Sequence, residues 1–327
     1  MKGSSSSALA TLGKATVLTA VIGLGMAYLP FGPVVLTPFA VLPLAYTAVR
    51  WGNAFVLPGA VIAGLAVWFG AGRSEALLVF LLAAGFGIAL GGALRARWSF
   101  ASTLALPAAT AVLVFCVWGL ALWQILGVTW THVQQAAGQS IDNAATLYGQ
   151  AGVSQATTTS VTDQFKQLVS IAPYLAPGLV GMASILFASC AAGLAHLIFP
   201  RMGSRRASPL SLSKFRLHWA LAYVSIAGLA LLLLARGSGE WQSALRYVGI
   251  DMLLVSQTLF FLQGLAVVQW LAVSRKWGRG ARGWLYAAAV LGQAFFQITG
   301  LAGLFDTWVD YRKRFALKSP GPGPTRL

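Results

Sequence analysis

Apolar residues along this chain gather into long runs bounded by Pro, Gly or small basic clusters, and do not alternate with polar ones. About nine runs can be marked, over residues 15–29, 33–49, 53–70, 76–94, 103–127, 173–199, 217–235, 250–273 and 284–305. About 20 apolar residues wound as a helix cross roughly 30 Å of hydrocarbon. The pattern therefore predicts an all-α fold, a polytopic integral membrane helical bundle of about nine transmembrane helices. Pro30, Pro33, Pro38, Pro43 and Pro58 interrupt the first three runs. Kinked or tilted helices are expected there, with neighbouring helices meeting the freed carbonyls.

Composition agrees with that reading. The 327 residues are 57% hydrophobic and 9% charged, against roughly 25% charged in a soluble domain, so the polar atoms needed to cover a water-facing surface are missing. The formal charge of +16 sits in short clusters between apolar runs. That placement fits the cytoplasmic bias of Lys and Arg and contact with anionic lipid headgroups, and excludes nucleic acid as a partner. Arg95 and Arg97 mark one cytoplasmic loop, Arg201, Arg205, Arg206, Lys214 and Arg216 a second, and Arg275, Lys276, Arg279 and Arg282 a third. Residues 128–172 are rich in Gln, Thr, Ser and Ala, with Lys166 as their one basic residue, and belong outside as a helical cap. The N-terminus is then cytoplasmic. Its opening run has the ingredients of a signal peptide without a small-x-small cleavage site, and is read as a retained first helix. The organisation expected is a six-helix core over 1–199, a basic loop over 200–216, three further helices over 217–306, and a flexible basic tail over 307–327 ending in SPGPGPTRL.

The ninth run breaks this scheme, because basic clusters flank it on both sides. One cluster is translocated, or the run does not cross. A span satisfies its own backbone, whereas a re-entrant hairpin must hide its turn inside protein. The span is favoured; eight helices plus a re-entrant last segment is the alternative, with Gly292, Gln293 and Gln297 as places to turn.

Asp306 and Asp310 stand four residues apart in GLFDTWVDYRKRF, which predicts one helical face and a spacing able to hold Mg²⁺ over a diphosphate. Intramembrane prenyl transferases use such carboxylates in two clusters, and seven acidic residues in all do not supply a second. The plainer expectation is an interfacial helix end, with Asp310 paired to Arg314 and with Trp308 and Tyr311 at headgroup depth. Asp306, Asp310, Arg312 and Arg314 are then partner-facing. Asp251, beside Arg246 and Tyr247, is expected in a surface pair. His132, His196 and His218 are far apart, no HExxH is present, and His196 is placed near the interface. Gln257, Gln263 and Gln269 on the eighth run, with Gln293 and Gln297 on the ninth, either glue helices together or line a polar cavity. On the cavity reading Gln263, Gln293, Gln297 and His196 would touch a substrate. Cys116 and Cys190 fall inside apolar runs, so no disulfide or metal role is assigned. No catalytic residue, metal ligand set or cofactor is assigned, and there is no Walker A sequence. In the first run Ala15, Thr19, Gly23 and Ala27 recur every four residues as a smooth ridge for close helix packing, internal or with a second protein. GFGIALGG, 85–92, is likewise a packing face and not a nucleotide loop.

Two resemblances enter on these motifs. FFLQGLAVVQW (260–270) and GLFDTWVDYRKR (303–314) resemble the YybS-like family of uncharacterised bacterial membrane proteins, a likeness covering most of the chain that implies a bacterial cytoplasmic membrane and no established activity. The small-residue ridge, LPLAYTAVRWGNAFVLPGAVIAGLAVWFGAG (42–72) and AAGFGIALGGALRAR (83–97) are more distantly similar to the S components of energy-coupling-factor transporters, and the likeness extends over residues 8–199. That resemblance implies six helices with both ends inside, a small solute held toward the outer half beneath 128–172, and the ridge docked on a coupling subunit that works with an ATPase. The leading expectation is a solute-binding membrane subunit. The alternative is a membrane scaffold whose basic loops and tail hold a protein or anionic lipid.

Overall fold

Backbone N–H and C=O groups in hydrocarbon have no water to turn to, so each apolar run closes its own hydrogen bonds as a helix. The computed structural model describes residues 2–29, 32–150, 152, 154–203, 212–237 and 239–314. Pro30, Arg205, Arg206 and the tail from Phe315 lie outside them. Every regular element described is helical. The first half contains α1 (Lys2–Tyr28), α2 (Gly32–Ala40), α3 (Leu42–Trp51), α4 (Val56–Ala71), α5 (Arg73–Leu81), α6 (Gly87–Arg95) and α7 (Phe100–Leu126). There follow α8 (Trp130–Gln150), α9 (Gln155–Ile171), α10 (Ala176–Ile198), α11 (Leu221–Leu234), α12 (Glu240–Ser274), α13 (Arg279–Phe296), α14 (Ile298–Val309) and the single turn α15 (Tyr311–Arg314). A π-turn, Leu82–Phe86, joins α5 to α6. Among the described residues seven spans are long and apolar enough to cross a membrane, or eight if α13 and α14 count as one. The polytopic helical bundle expected from the apolar runs is present.

Short glycine turns keep successive spans antiparallel. Gly52 (φ 112°) and Gly72 (φ 120°) close α3 and α4 in backbone conformations that a side chain disfavours. Pro38 lies inside α2, and the helix breaks at Val41 before Pro43 starts α3, as the proline spacing predicts. Outside, Phe69 is 90% exposed and Trp284 80%, side chains that lipid accepts and water does not. Inside, Val41, Leu90, Leu104, Phe86, Phe187 and Ala188 fill the space among α3, the π-turn, α6, α7 and α10. The same cluster reaches α12 through Leu262 and Ala266.

The polar segment is a hairpin, α8 against α9, tied by Lys166 to Asp142 at 2.8 Å. Ser154 starts α9 by accepting from the Thr157 amide. Neither helix contains a buried residue.

The last apolar run is not the straight span favoured on backbone grounds. It bends by 100° between α13 and α14, at Gln297 in the left-handed region (φ 54°). α14 then packs against α12: Gly300 faces Gln257, Gly303 faces Phe260, Thr299 faces Gly264, and Asp306 bonds Gln263. Its end reaches the loop between α10 and α11, where Arg312 donates to the Ser213 carbonyl at 2.7 Å. α13 begins beside the end of α12, and Trp270 near that end borders the same recess as Arg312. Both ends of the α13–α14 pair therefore lie at one end of the bundle, and the two basic clusters that flank it share a side. The charge conflict disappears.

The bundle is electrically lopsided. Arg50, Arg95, Arg201, Lys214, Arg275 and Arg312 lie at this end with Asp306 and Asp310, whereas Glu75, Asp142, Asp163, Glu240 and Asp251 lie toward the other with Arg73, Lys166, Arg236 and Arg246. The hairpin predicts that single cysteines at Lys276 and Arg314, in a chain with Cys116 and Cys190 changed to Ser, react with a membrane-impermeant reagent from the same side. Labelling from opposite sides would require the straight span.

Candidate functional site

The basic end is organised by the contact of α12 with α14. At their crossing a Cβ on Gly303 would collide with the Phe260 carbonyl, and one on Gly264 with the Thr299 carbonyl. Only glycine at both positions lets the two backbones approach this closely. Higher in the hairpin, Gln293 Oε1 accepts from the Gly300 amide at 2.7 Å, meeting a donor freed at the bend.

That close approach carries Asp306 against Gln263. The Asp306 carboxylate accepts from Gln263 Nε2 at 3.1 Å, from Arg312 Nη2 at 3.2 Å and from the Tyr311 amide at 3.2 Å. Gln263 Oε1 accepts from the Leu217 amide at 2.7 Å, so this one amide joins α14 to the loop before α11. Arg312 Nη1 meets the Ser213 carbonyl. Asp306, Arg312 and Gln263 are all buried. The Arg312 Nε–H has no acceptor among the described groups.

Asp306 and Asp310 do not share a face. The helix ends at Val309, and Asp310 turns into the left-handed region (φ 47°), pointing outward. Its expected i,i+4 partner Arg314 is replaced by Arg216, which meets both carboxylate oxygens at 2.9 Å, and by Lys313 at 3.3 Å. Burial works to raise the Asp310 carboxyl's pKa, but its bonds to Arg216 and Lys313 outweigh this and hold it below the ordinary carboxylate range. Arg216 was legible only as a loop marker, since 94 residues separate it from Asp310. No group of three potential metal ligands occurs among the described residues.

The other expected site residues divide. Gln263 and Gln293 join helices or satisfy backbone, and Gln297 is exposed at the bend. His196 is half-buried in the last turn of α10. On the ridge, Ala15, Thr19 and Gly23 are buried by the chain's own helices: Thr19 donates to the Ala40 carbonyl, and Gly23 faces Val67 and Val79. Ala27 is exposed. Asp251 is not in a surface pair. It lies against Gly178 in the first turn of α10 with its Oδ1 unmet among the described groups, and Arg246 instead donates to the carbonyls of Ala235 and Gly237.

A family model described as predicted membrane protein (DUF2232) matches residues 17–307, and the chain belongs to that family. No curated protein and no solved structure matches it.

The two aspartates should respond differently to removal. Asp306→Ala strands a buried guanidinium and is expected to cost about 3–5 kcal/mol, whereas Asp310→Ala at the surface costs about 1 kcal/mol or less, as read from thermal unfolding in detergent. Equal losses would contradict the burial difference. For Asp310 the sign with pH follows from its lowered pKa. Its contribution is complete above the unfolded-state value of about 3.9 and is lost as pH falls through the lower folded-state value. The difference in melting temperature between wild type and Asp310→Asn should therefore be constant from pH 7 to about pH 5 and close below about pH 4.

Proposed function

We propose that this DUF2232 member is a membrane-embedded interaction scaffold whose working surface is its basic end, turned to the cytoplasm by the charge bias of its loops. The observation that carries the reading is the clamp of Asp306, Arg312 and Gln263, which fixes the end of α14 on the 212–217 loop. Around that clamp Lys214, Arg216, Lys313 and Arg314 stand exposed as a fixed cationic array. Holding cations near one another costs Coulomb energy, and an anionic partner relieves it.

The solute-binding alternative draws on the likeness to energy-coupling-factor S components. It requires a cavity among the first six helices, a loop closed over it and a free ridge on α1. The space among α3, α6, α7 and α10 is instead occupied by side chains, the α8–α9 hairpin buries no residue, and most of the ridge is covered. Those three features favour the scaffold. The YybS-like resemblance is compatible with it and names no ligand.

Isolation of the full chain from native membranes in mild detergent separates the two readings. At ~0.05 M salt a scaffold with a cationic docking face retains its partner, and at ~0.5 M, where the Debye length shrinks to a few ångströms, it releases it. Recovery of an ATPase with a coupling subunit that stays bound at high salt would overturn the scaffold reading in favour of transport.

A further inference from the structure

A recess of about 490 Å³ opens beside the clamp, bordered by Ser213, Lys214, Arg216, Trp270, Arg312 and Lys313. Four of these are cations. The carboxylates at hand are Asp306, engaged by Arg312, and Asp310, shared by Arg216 and Lys313. Four positive charges against two negative leave a surplus of two. Beside this surplus Arg312 is 5% exposed, and its buried Nε–H finds no acceptor among the described residues.

Trp270 narrows the choice of anion. It lies four residues before the end of α12, a span that finishes at Ser274, and its ring borders the same recess as the cations. An indole near the end of a transmembrane helix sits at headgroup depth. The cations beside it are therefore at the level where lipid phosphates lie. A phosphate offers several oxygens in a tetrahedral array, which suits guanidinium and ammonium donors converging from different directions better than a planar carboxylate does.

We propose that this recess binds a phosphate ester, with the side chains of Lys214, Arg216 and Lys313 as donors beside the buried Arg312 and Trp270 against the adjoining uncharged part of the ligand. The inference rests on reading the basic end as the working surface and names the chemistry that it takes. Two sources offer that chemistry, the headgroup of an anionic lipid and phosphate from solution. The position of Trp270 favours the lipid.

The test uses the full chain in phosphatidylcholine nanodiscs doped with phosphatidic acid or phosphatidylglycerol, with retained lipid counted by native mass spectrometry. Wild type should retain the anionic lipids over phosphatidylcholine. Lys214→Gln with Lys313→Gln, both exposed and outside the buried clamp, should lower that retention about tenfold. Lys166→Gln, in the hairpin at the other end, should leave it unchanged. Inorganic phosphate at millimolar concentration provides the second arm: failure to displace lipid assigns the site to headgroups, and full displacement assigns it to phosphate from solution, and either supports a phosphate site. Retention equal to phosphatidylcholine, or retention unaltered in the double variant, overturns the proposal. If lipid retention fails in this way while a salt-sensitive protein partner persists, the phosphate site falls and the scaffold stands.

Discussion

Asp306 and Arg312 are 6% and 5% exposed, and taking such charges out of water costs several kcal/mol each unless their remaining polar atoms are met. Here most are met. Asp306 has Gln263, Arg312 and the Tyr311 amide, and Arg312 has Asp306 and the Ser213 carbonyl. The arrangement tolerates little movement, because separating the pair leaves each charge buried alone. The approach of α14 to α12 is part of the same constraint. A side chain on Gly264 or Gly303 would lift α14 off its neighbour and carry Asp306 away from Gln263. Packing and charge thus enforce one geometry together.

That constraint also decides between two topologies that the sequence leaves close. A straight span over 284–305 would satisfy its own backbone completely, and the hairpin gives up some of those bonds at Gln297. Part of the loss is recovered by Gln293, which accepts from the Gly300 amide, and by Gln297 itself, whose amide donates to the Gln293 carbonyl. Against the remainder stand the contacts that Arg312, Asp310 and Asp306 make with Ser213, Arg216 and Gln263. All of them require the tail and the 212–217 loop on one side. A translocated tail would form none and would carry three consecutive cations, Arg312, Lys313 and Arg314, across the bilayer. Charge-assisted bonds of about 1.5–3 kcal/mol each outweigh a few weakened backbone bonds at the turn, whose residues Phe295, Phe296, Gln297 and Ile298 are exposed.

What the sequence made legible is what depends on neighbours along the chain. Run length gave the helical bundle, prolines gave the break between α2 and α3, and the scarcity of Lys and Arg marked the polar hairpin as distinct. The charge conflict around the ninth run was a true signal that one topology was wrong, though it did not say which. What escaped was set by residues far apart in sequence. Asp310 was assigned to Arg314 by the i,i+4 rule, but the helix ends at Val309 and the rule no longer applies beyond it. Asp251 was assigned to Arg246 by proximity, whereas it lies against Gly178 at the start of α10, more than seventy residues upstream. Gln263 was legible as a polar residue in lipid, which must have a partner, but nothing local named Leu217 and Asp306.

The disposition of buried polar groups bears on function as much as the packed core does. A site for a small solute needs several of them converging on one space at membrane depth. In this bundle most are already engaged by the fold: Thr19 with the Ala40 carbonyl, Ser225 with Ser256, Thr299 with the Ala289 carbonyl, and Gln263 and Gln293 as described. Among the described residues, unpartnered oxygens remain on Thr16, Ser184, Asp251, Gln257 and Gln269. The last three are six and twelve residues apart on α12, so at a rise of about 1.5 Å per residue they sit at depths roughly 9 and 18 Å apart. Those three do not enclose one ligand. At the basic end the opposite holds, because residues from the 212–217 loop, α12 and α15 meet around one recess with more donors than acceptors. Exposed donors are concentrated where the chain folds back on itself, and the same hairpin that brings the two basic clusters together builds that recess.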